Sequence, residues 1–345
     1  MLNKSFFLFG PRGTGKTTWV KKTFKKSLYL DLLEAELFND LLANPQRLEN
    51  YIPPDFKDWV IIDEVQKIPE LLNEIHRLIE NKHYKFILTG STSTLIESGV
   101  SARLSGRYFS NTVYPLSFQE FLVFNDAKKL KTLEKKIYFY QYLKYGAFPR
   151  VVLEKDKMLK QEILKNYFQT IYLKDIIYPY KIRNNKDVFD LLYFVLSNTG
   201  KPLSYTSIAK VLDMATETVK EYLTYAEQAY LLYSINKFDY SVKKQLANPK
   251  KVYCLDTGLI NSLSFQFSQN KGRLLENLVF VTLRRKHDNI YYHKNGSECD
   301  FVIKEGLKIK KAIQVTLSLK DSSVRKRELK GLTDAMDTYK LKEGF

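Results

Sequence analysis

An eight-residue segment near the start of the chain has the residue types and spacing needed to hold a phosphate. Gly10–Thr17 spells GPRGTGKT, which fits G-x-x-x-x-G-K-[S/T] in full. The glycines let backbone N–H groups turn toward an anion, and the helix that begins near Lys16 adds its positive N-terminal end. We expect Lys16 to reach the β- and γ-phosphates of ATP and the Thr17 hydroxyl to ligate Mg²⁺. The residues expected to line this site are Gly10, Pro11, Arg12, Gly13, Thr14, Gly15, Lys16, Thr17 and Thr18.

An acidic pair follows a second apolar run. Asp63 and Glu64 come directly after WVII, at the carboxyl end of a predicted buried strand. Ligands of parallel sheets bind at this end of the strands, so the pair would lie beside the phosphate loop. We expect Asp63 to hold the Mg²⁺ ion and Glu64 to orient and deprotonate the attacking water. An acidic pair alone is a weak signal, but downstream of a phosphate loop it is a strong one.

Polar side chains also follow the next predicted strand, in the segment FILTGSTS. A hydroxyl at this position can sense the γ-phosphate, and we expect Ser91 to do so rather than Thr89 or Thr92. The alternative is that all three side chains satisfy hydrogen bonds of the turn.

Phosphoryl transfer also calls for an arginine, because negative charge spreads over the γ-phosphoryl oxygens in the transition state. Arg103 and Arg107, in the segment SARLSGRYF, are the candidates. The ordinary alternative at either position is a surface salt bridge. If either arginine acts on the site of another copy, the protein must form a homo-oligomer.

The elements that position these residues are predicted within the first 125 residues. Short apolar runs alternate there with helical stretches, which is the pattern of a parallel sheet covered on both faces. The predicted strands are Ser5–Phe9, Leu28–Leu32, Trp59–Asp63, Lys85–Thr89 and Tyr108–Tyr114, and the predicted helices are Gly15–Lys26 and Pro69–Asn81. The fold class of this part is therefore α/β.

A helix-turn-helix pattern lies in the middle of the chain. Residues 126–185 are helical in pattern, and we interpret them as a linker or lid. In the segment 204–232, two helices flank a turn at 213–215, and the later VYCLDTGL could complete a wing. The spacing predicts a winged helix over residues 186–262.

The second of these helices carries some side chains that favour DNA binding and others that disfavour it. Thr216, Thr218 and Lys220 on its polar face are suited to contacting DNA. Glu217 and Glu221 on the same helix would repel phosphate. The alternative to a DNA reader is a packing or protein-contact module.

The last region, residues 270–345, has some of the residue types of a metal-dependent nuclease. Such a site holds Mg²⁺ with two or three carboxylates, and a lysine assists the attacking water. Glu276 and Asp300 could supply two acids, but Gln314 and Thr316 stand where a third acid and a lysine would be expected. Neither brings charge, so we expect a vestigial site in a domain that has lost nuclease activity.

Over essentially its whole length the chain resembles the prokaryotic AAA-type ATPases that join a P-loop module to a winged helix and a C-terminal restriction-endonuclease-like domain of unknown function. The segments that carry the resemblance are GPRGTGKTT, WVIIDEVQKIP, FILTGSTS, LSGRYF, YPLSFQEF, YGAFPRVV, NTGKPLSYTSIAKVL, ETVKEYL, PKKVYCLDTGL, RLLENLVF, ECDFVI and AIQVTLS. The resemblance implies ATP hydrolysis on a sheet of strand order 5-1-4-3-2, with Lys16, Thr17, Asp63 and Glu64 in the roles given above.

The resemblance also implies how the chain divides. The expected parts are an ATPase core at 1–125, a helical linker or lid at 126–185, a winged helix at 186–262 and a small α/β endonuclease-like domain at 270–345. One departure is that active nuclease-like domains have acid-x-lysine where this chain has Gln314-Val315-Thr316. The final residues, Lys342–Phe345, are typical of the start of a further strand, which predicts that the last domain is truncated.

The composition excludes some classes of protein and favours others. The chain has 345 residues, 44% of them hydrophobic, and its mean hydropathy is −0.32. No apolar run approaches the roughly 18–20 residues of a membrane span, and Cys254 and Cys299 cannot form a disulfide framework. We therefore expect a cytoplasmic protein with no membrane partner. The net charge of +17 favours a nucleic acid partner, although lysine-rich solvated faces would give the same value.

Three functions compete on this basis. The first is an ATP-driven switch or motor that acts on or docks to nucleic acid, which the phosphate loop, the helix-turn-helix and the charge favour. The second is a signalling or assembly scaffold that responds to nucleotide and has no DNA role. The third is an ATP-coupled, metal-dependent nuclease, which the missing acid and lysine disfavour.

Overall fold

The chain forms two compact units in the computed structural model, which describes residues 4–94, 109–263 and 271–345. The first unit contains Met1–Tyr114 and Gln228–Tyr230. The second contains Pro115–Glu227 and Leu231–Phe345.

A five-stranded parallel sheet forms the first unit. Its strands are β1 (Phe6–Phe9), β2 (Leu28–Asp31), β3 (Trp59–Asp63), β4 (Lys85–Gly90) and β5 (Phe109–Thr112). They pair in the order β2-β3-β4-β1-β5, which confirms the predicted order 5-1-4-3-2. Every residue of β1 and β3 is buried, because both strands lie inside the sheet and carry apolar side chains on both faces.

Three helices accompany this sheet within the residues that the structure describes. They are α1 (Lys16–Thr23), α2 (Ala35–Ala43) and α3 (Leu71–Lys82), with 3₁₀ turns at Pro45–Tyr51 and Val65–Lys67. Helix α1 packs Val20 into a core cluster with Trp59, and leaves Trp19 48% exposed. Helix α2 lies outside the predicted elements, although Leu37 and Leu41 bury one of its faces at a spacing of four residues.

Helices dominate the first part of the second unit, as the aromatic spacing after residue 125 predicts. They are α4 (Phe118–Phe124), α5 (Thr132–Tyr145), α6 (Pro149–Leu153), α7 (Lys157–Thr170), a π-helical turn (Ile171–Ile177) and α8 (Asn185–Ser197). Residues 115–125, which the sequence pattern placed with the parallel sheet, lie in this unit because Phe121 packs against Tyr142. Every helix in the described part of the chain is too short or too polar to span a bilayer.

A small antiparallel sheet follows α8. Its strands are β6 (Pro202–Leu203), β7 (Leu232–Asn236) and β8 (Lys250–Cys254), in the order β6-β8-β7. Helices α9 (Tyr205–Leu212) and α10 (Thr216–Gln228) lie between β6 and β7. The turn between these helices contains Asp213 at φ 52°, at the position that the spacing predicts.

The segment VYCLDTGL lies partly in β8, which pairs antiparallel with β6 and β7, and its role in completing a wing stays a prediction. Its first three residues end β8, and α12 (Thr257–Leu263) begins directly after Asp256. The Asp256 carboxylate accepts the backbone N–H of Gly258 at 2.8 Å, which is how an aspartate starts a helix. The connection between β7 and β8 carries the short helix α11 (Val242–Ala247).

A second antiparallel sheet completes the chain. It contains β9 (Ile290–Asn295), β10 (Ser297–Glu305) and β11 (Lys308–Ile313) in the order β11-β10-β9, between helices α13 (Lys271–Arg284) and α14 (Ser322–Tyr339). The apolar run over 311–317 predicts a strand with those bounds, but the observed strand β11 ends at Ile313. The chain leaves the sheet after Ile313, because the Val315 N–H donates to the Asp300 carboxylate at 2.9 Å. The predicted strand at the chain end is absent, although Phe345 hydrogen-bonds through its backbone beside β11.

Candidate nucleotide-binding site

The phosphate loop joins the end of β1 to the start of α1. Gly10, Gly13 and Gly15 have φ values of 140°, 80° and 89°, which residues other than glycine rarely adopt. A Cβ atom at Gly10 would lie 2.2 Å from the Val113 carbonyl oxygen. Glycine is therefore required at Gly10 both for the backbone conformation and for the approach of the chain next to β5.

The Lys16 side chain folds back into the loop. It is buried, and its Nζ donates to the carbonyl oxygens of Gly10 at 2.5 Å and Pro11 at 2.9 Å. The Thr14 hydroxyl donates to the same Pro11 oxygen at 3.0 Å. The ammonium group is thus held inside a turn of backbone, where phosphate oxygens could replace the two carbonyl groups as its partners.

Three hydroxyl groups converge on the Asp63 carboxylate at the end of β3. Thr17 donates to Oδ2 at 2.8 Å, and Tyr29 and Thr89 donate to Oδ2 and Oδ1. Burial and the hydrogen bond to Asp63 raise the pKa of Tyr29, so this hydroxyl keeps its proton. Carboxylate and hydroxyl oxygens are the ligands that Mg²⁺ prefers, so Thr17 and Asp63 fit this ion.

Glu64 lies in a network of donors beside the loop. Its backbone has φ 60°, and its Oε2 atom accepts from Ser91 Oγ at 3.0 Å and from the Gln66 amide. The same Gln66 amide donates to Ser91 Oγ at 2.9 Å. The other carboxylate oxygen, Oε1, lies 3.6 Å from Arg12 Nη1. The carboxylate therefore accepts hydrogen bonds at Oε2 and faces a positive charge at Oε1.

The structure brings most of the predicted site residues together. Lys16, Thr17, Asp63, Glu64 and Ser91 lie at the loop or at the carboxyl ends of β3 and β4. Thr18 is exposed on α1, and Thr92 hydrogen-bonds to Thr94. The predicted arginines, Arg103 and Arg107, lie outside the described residues.

Two members of the site are absent from the sequence prediction. Gln66 follows Glu64 by two residues, so its polar side chain near the acidic pair was the available signal. Tyr29 lies on β2, and only the pairing of β2 with β3 brings it to Asp63.

The face of α10 that a DNA reader would use carries acidic groups. Glu217 and Glu221 are exposed on it, and Lys220 pairs with Glu217 at 2.9 Å. The Tyr225 hydroxyl donates to Glu221. The lysine is thus neutralised on its own helix, and this surface is poorly suited to a phosphate backbone.

A buried lysine occupies the centre of the carboxylate group in the last region. Lys251 is 1% exposed, and its Nζ lies 3.0 Å from Glu276 Oε1, 2.9 Å from Glu298 Oε1 and 3.1 Å from Asp300 Oδ1. Tyr253 donates to the same Glu276 oxygen at 2.7 Å. We call Lys251, Glu276, Glu298 and Asp300 the lysine-carboxylate cluster.

The charged groups in this cluster shift one another's pKa values. Burial lowers the pKa of Lys251, but the three carboxylates outweigh burial and raise the pKa above its ordinary value. Burial raises the pKa of Glu276 to about 7, and the Lys251 ammonium opposes that rise. The ammonium therefore stays charged and supplies the counterion of the buried acids.

The lysine-carboxylate cluster does not fit a divalent metal ion. The predicted vestigial residues Glu276 and Asp300 do meet, and Gln314 Oε1 accepts the Asp300 backbone N–H at 3.1 Å. However, the Lys251 ammonium lies where a cation between these acids would bind. Within the described ranges, no group of three or more His, Cys, Asp or Glu side chains could hold a metal ion.

The parallel sheet, the phosphate loop and the acidic pair define a P-loop nucleotide-binding domain. Residues 2–122 match the AAA domain family, and residues 136–270 match a domain of unknown function, DUF8612. The uncharacterized protein MJ1544 of Methanocaldococcus jannaschii is 32% identical, over 98% of this chain and 80% of that protein. The chain therefore belongs to the same family as MJ1544, and its first unit contains an AAA domain.

Other similarities are more distant. An uncharacterized protein of Haemophilus influenzae is 29% identical, over 82% of this chain and 71% of that protein. The crystal structure of Cdc6p from Pyrobaculum aerophilum superposes with a TM-score of 0.31 at 10% identity, over 80% of this chain and 88% of that chain. A score of that size does not define a shared fold.

Proposed function

We propose that this protein is a Mg²⁺-dependent ATPase whose reaction takes place at the phosphate loop. The observation that carries the proposal is the contact between Thr17 and Asp63, 2.8 Å apart, next to Lys16 and Glu64. It joins the loop that would hold the phosphates to the strand end that carries the acids. The Mg²⁺ ion would be held by Thr17 and Asp63, and it neutralises phosphate charge when bound.

The residues of the site supply the remaining chemistry. Lys16 exchanges its loop carbonyls for β- and γ-phosphate oxygens. Glu64 accepts a proton from a water molecule whose oxygen forms a bond to the γ-phosphorus, while the bond from phosphorus to the β–γ bridging oxygen breaks. Ser91 and Gln66 keep the Glu64 carboxylate directed into the site through their hydrogen bonds.

Turnover and binding measurements on two variants test this proposal. Glu64→Gln should lower ATP turnover by roughly 10²–10⁴-fold and leave nucleotide binding intact, because only the proton acceptor is lost. Lys16→Ala should abolish binding as well. The control is Glu36→Gln, an exposed acid on α2. Wild-type turnover by Lys16→Ala, or no ATP binding and turnover by the wild type, contradicts the proposal.

A second proposal is that the protein binds nucleic acid. The surface that would bind it lies on α14 rather than on α10. Four exposed cations lie just before α14 or in its first half, and we call them the α14 cation group: Lys320, Arg325, Lys326 and Lys330. None of them pairs with a carboxylate among the residues that the structure describes, whereas Arg327 pairs with Glu328 at 2.5 Å.

At their positions, the cations of the α14 cation group do not stabilise the helix itself. Cations stabilise the C-terminal end of a helix and acids the N-terminal end, yet the first turn of α14 carries Arg325, and the acid at that end is the N-cap Asp321. Asp334 and Asp337 lie toward the other end, which is also the unfavourable arrangement. Phosphate groups would neutralise these cations, so the group is suited to a nucleic acid backbone.

Binding of labelled oligonucleotides at several salt concentrations tests this second proposal. Changing the four members of the α14 cation group to serine should weaken binding and make the salt dependence shallower. The matched control removes four lysines of exposed positions elsewhere, namely Lys128, Lys129, Lys136 and Lys157. If both variants bind like the wild type, or if DNA and RNA do not bind at all, the scaffold without a nucleic acid role is the better interpretation.

A further inference from the structure

Arg12 lies in the phosphate loop and faces the proposed proton acceptor. Its Nη1 atom is 3.6 Å from Glu64 Oε1, and the two side chains are 21% and 13% exposed. This distance is too long for a hydrogen bond, so the two groups are attracted by charge alone. An ion pair at this distance is weaker than one with a hydrogen bond.

The position of this pair identifies the side of the loop that Arg12 occupies. Glu64 directly follows Asp63, which contacts Thr17 at 2.8 Å at the start of α1. A proton acceptor must lie within hydrogen-bond reach of the attacking water, and that water must lie about 3–3.5 Å from phosphorus. A guanidinium group 3.6 Å from the acceptor is therefore on the γ-phosphate side of the loop.

We propose that Arg12 is a catalytic residue that contacts the γ-phosphoryl oxygens and is supplied by the same chain that binds the nucleotide. This inference rests on the ATPase function proposed above. The γ-phosphate carries more negative charge than a carboxylate and presents oxygens that match the two-pronged guanidinium. ATP therefore draws Arg12 away from Glu64, and charge that builds up in the transition state strengthens the new contact.

The exchange has a second effect on Glu64. Once Arg12 moves to the phosphate, Glu64 Oε1 becomes available to accept a hydrogen bond from the attacking water. The other oxygen stays hydrogen-bonded to Ser91 and Gln66, so the carboxylate keeps its direction. Binding of the γ-phosphate and release of the proton acceptor are thus one event, which ADP cannot trigger because it lacks the γ-phosphate.

Turnover by three proteins tests the role of Arg12: the wild type, Arg12→Ala and Arg12→Lys. Arg12→Ala should lower kcat by about 10³-fold or more, the size of effect reported for arginines in phosphoryl transfer, while ADP binding stays near the wild-type value. Arg12→Lys should recover part of the rate, because a lysine keeps the charge but not the planar fork. A kcat for Arg12→Ala within tenfold of the wild type overturns the proposal.

A mixing experiment tests whether the arginine acts within one chain. Arg12→Ala keeps Glu64, and Glu64→Gln keeps Arg12. If the arginine acts on a neighbouring copy, a mixture of the two variants regains turnover. If it acts within its own chain, the mixture gives only the sum of the two residual rates. Recovery above that sum contradicts the proposal.

The outcomes separate this proposal from the ATPase proposal. If the wild type does not hydrolyse ATP, the ATPase proposal fails and the Arg12 experiment has no basis. If the wild type is active, Glu64→Gln is inactive and Arg12→Ala is active, then only the role of Arg12 is refuted. ADP binding and the midpoint of thermal unfolding of Arg12→Ala, measured beside the rates, exclude misfolding as the cause of a lost rate.

Discussion

The Lys251 ammonium lies 3.1 Å from the Asp300 carboxylate in the interior of the second unit. Asp300 belongs to β10 and Lys251 to β8, so the pair joins the two antiparallel sheets of that unit. Glu276 and Glu298 share the same ammonium at 3.0 and 2.9 Å. One buried cation on β8 therefore serves three acids, one on α13 and two on β10.

Removal of this cation should strongly destabilise the second unit. In Lys251→Met the three carboxylates lose their counterion in a buried place, which typically costs about 3–5 kcal/mol of unfolding free energy. Denaturant unfolding at neutral pH measures the loss. The control is Lys250→Met, at the adjacent, partly exposed position of β8. Equal stability of the two variants would show that Lys251 does not hold the acids together.

Stability of the second unit should depend on pH through Glu276. Burial raises the pKa of this acid to about 7 from its ordinary 4.5, so between these values the folded chain keeps a proton that the unfolded chain has released. The free energy of unfolding should therefore fall as pH rises from 4.5 to 7. Glu276→Gln should reduce this slope, and the exposed Glu162→Gln should not.

Some of the slope should remain in Glu276→Gln. Burial also raises the pKa of Asp256, to about 6, and that of Asp300. Both acids act in the same direction as Glu276. An unchanged slope in Glu276→Gln would mean that the acid is ionised in the folded chain across the whole interval.

Gln66 should affect the rate of ATP turnover without affecting binding. Its amide donates to both Glu64 and Ser91, so Gln66→Leu leaves the carboxylate less well directed. We expect kcat to fall roughly 10–100-fold at unchanged nucleotide affinity. The exposed Gln119→Leu on α4 is the matched control. Gln66→Leu and Ser91→Ala should combine non-additively, because both act through one carboxylate.

Gly10→Ala should damage the loop more than its small size suggests. The new Cβ atom would lie 2.2 Å from the Val113 carbonyl oxygen, and φ is 140°. We expect lost ATP binding and a destabilisation of at least about 1–3 kcal/mol, the usual cost of a strained backbone conformation. Gly272→Ala on α13 is the control, since a Cβ there meets nothing within 4 Å. Equal effects of the two changes would contradict this account.

The parallel sheet could be predicted from the sequence because its inner strands β1 and β3 are runs of apolar residues. Trp59–Asp63 was predicted with both of its bounds, since each residue of that strand is buried. The loop was predictable because its chemistry depends on a contiguous motif. In both cases the information lies in neighbouring residues.

The lysine-carboxylate cluster and α14 could not be predicted in this way. Lys251 lies in the segment KKVYC, where a lysine has the pattern of a strand edge, and its partners come from two distant elements, α13 and β10. Helix α14 has charged residues over most of its length and only Glu328, Gly331 and Ala335 buried, so no apolar stripe marks it. Both features depend on contacts between segments that are distant in the sequence, and a local sequence pattern does not show such contacts.

Both tryptophans of the chain, Trp19 and Trp59, lie in the first unit, while the 24 tyrosines extend through the chain. Selectively excited indole emission therefore reports the first unit alone. Trp19 lies two residues after Thr17 on α1 and is half exposed, so its emission should also respond when ATP fills the loop. This intrinsic fluorophore can follow nucleotide binding without a label. It also distinguishes melting of the first unit from a loss of structure at Lys251.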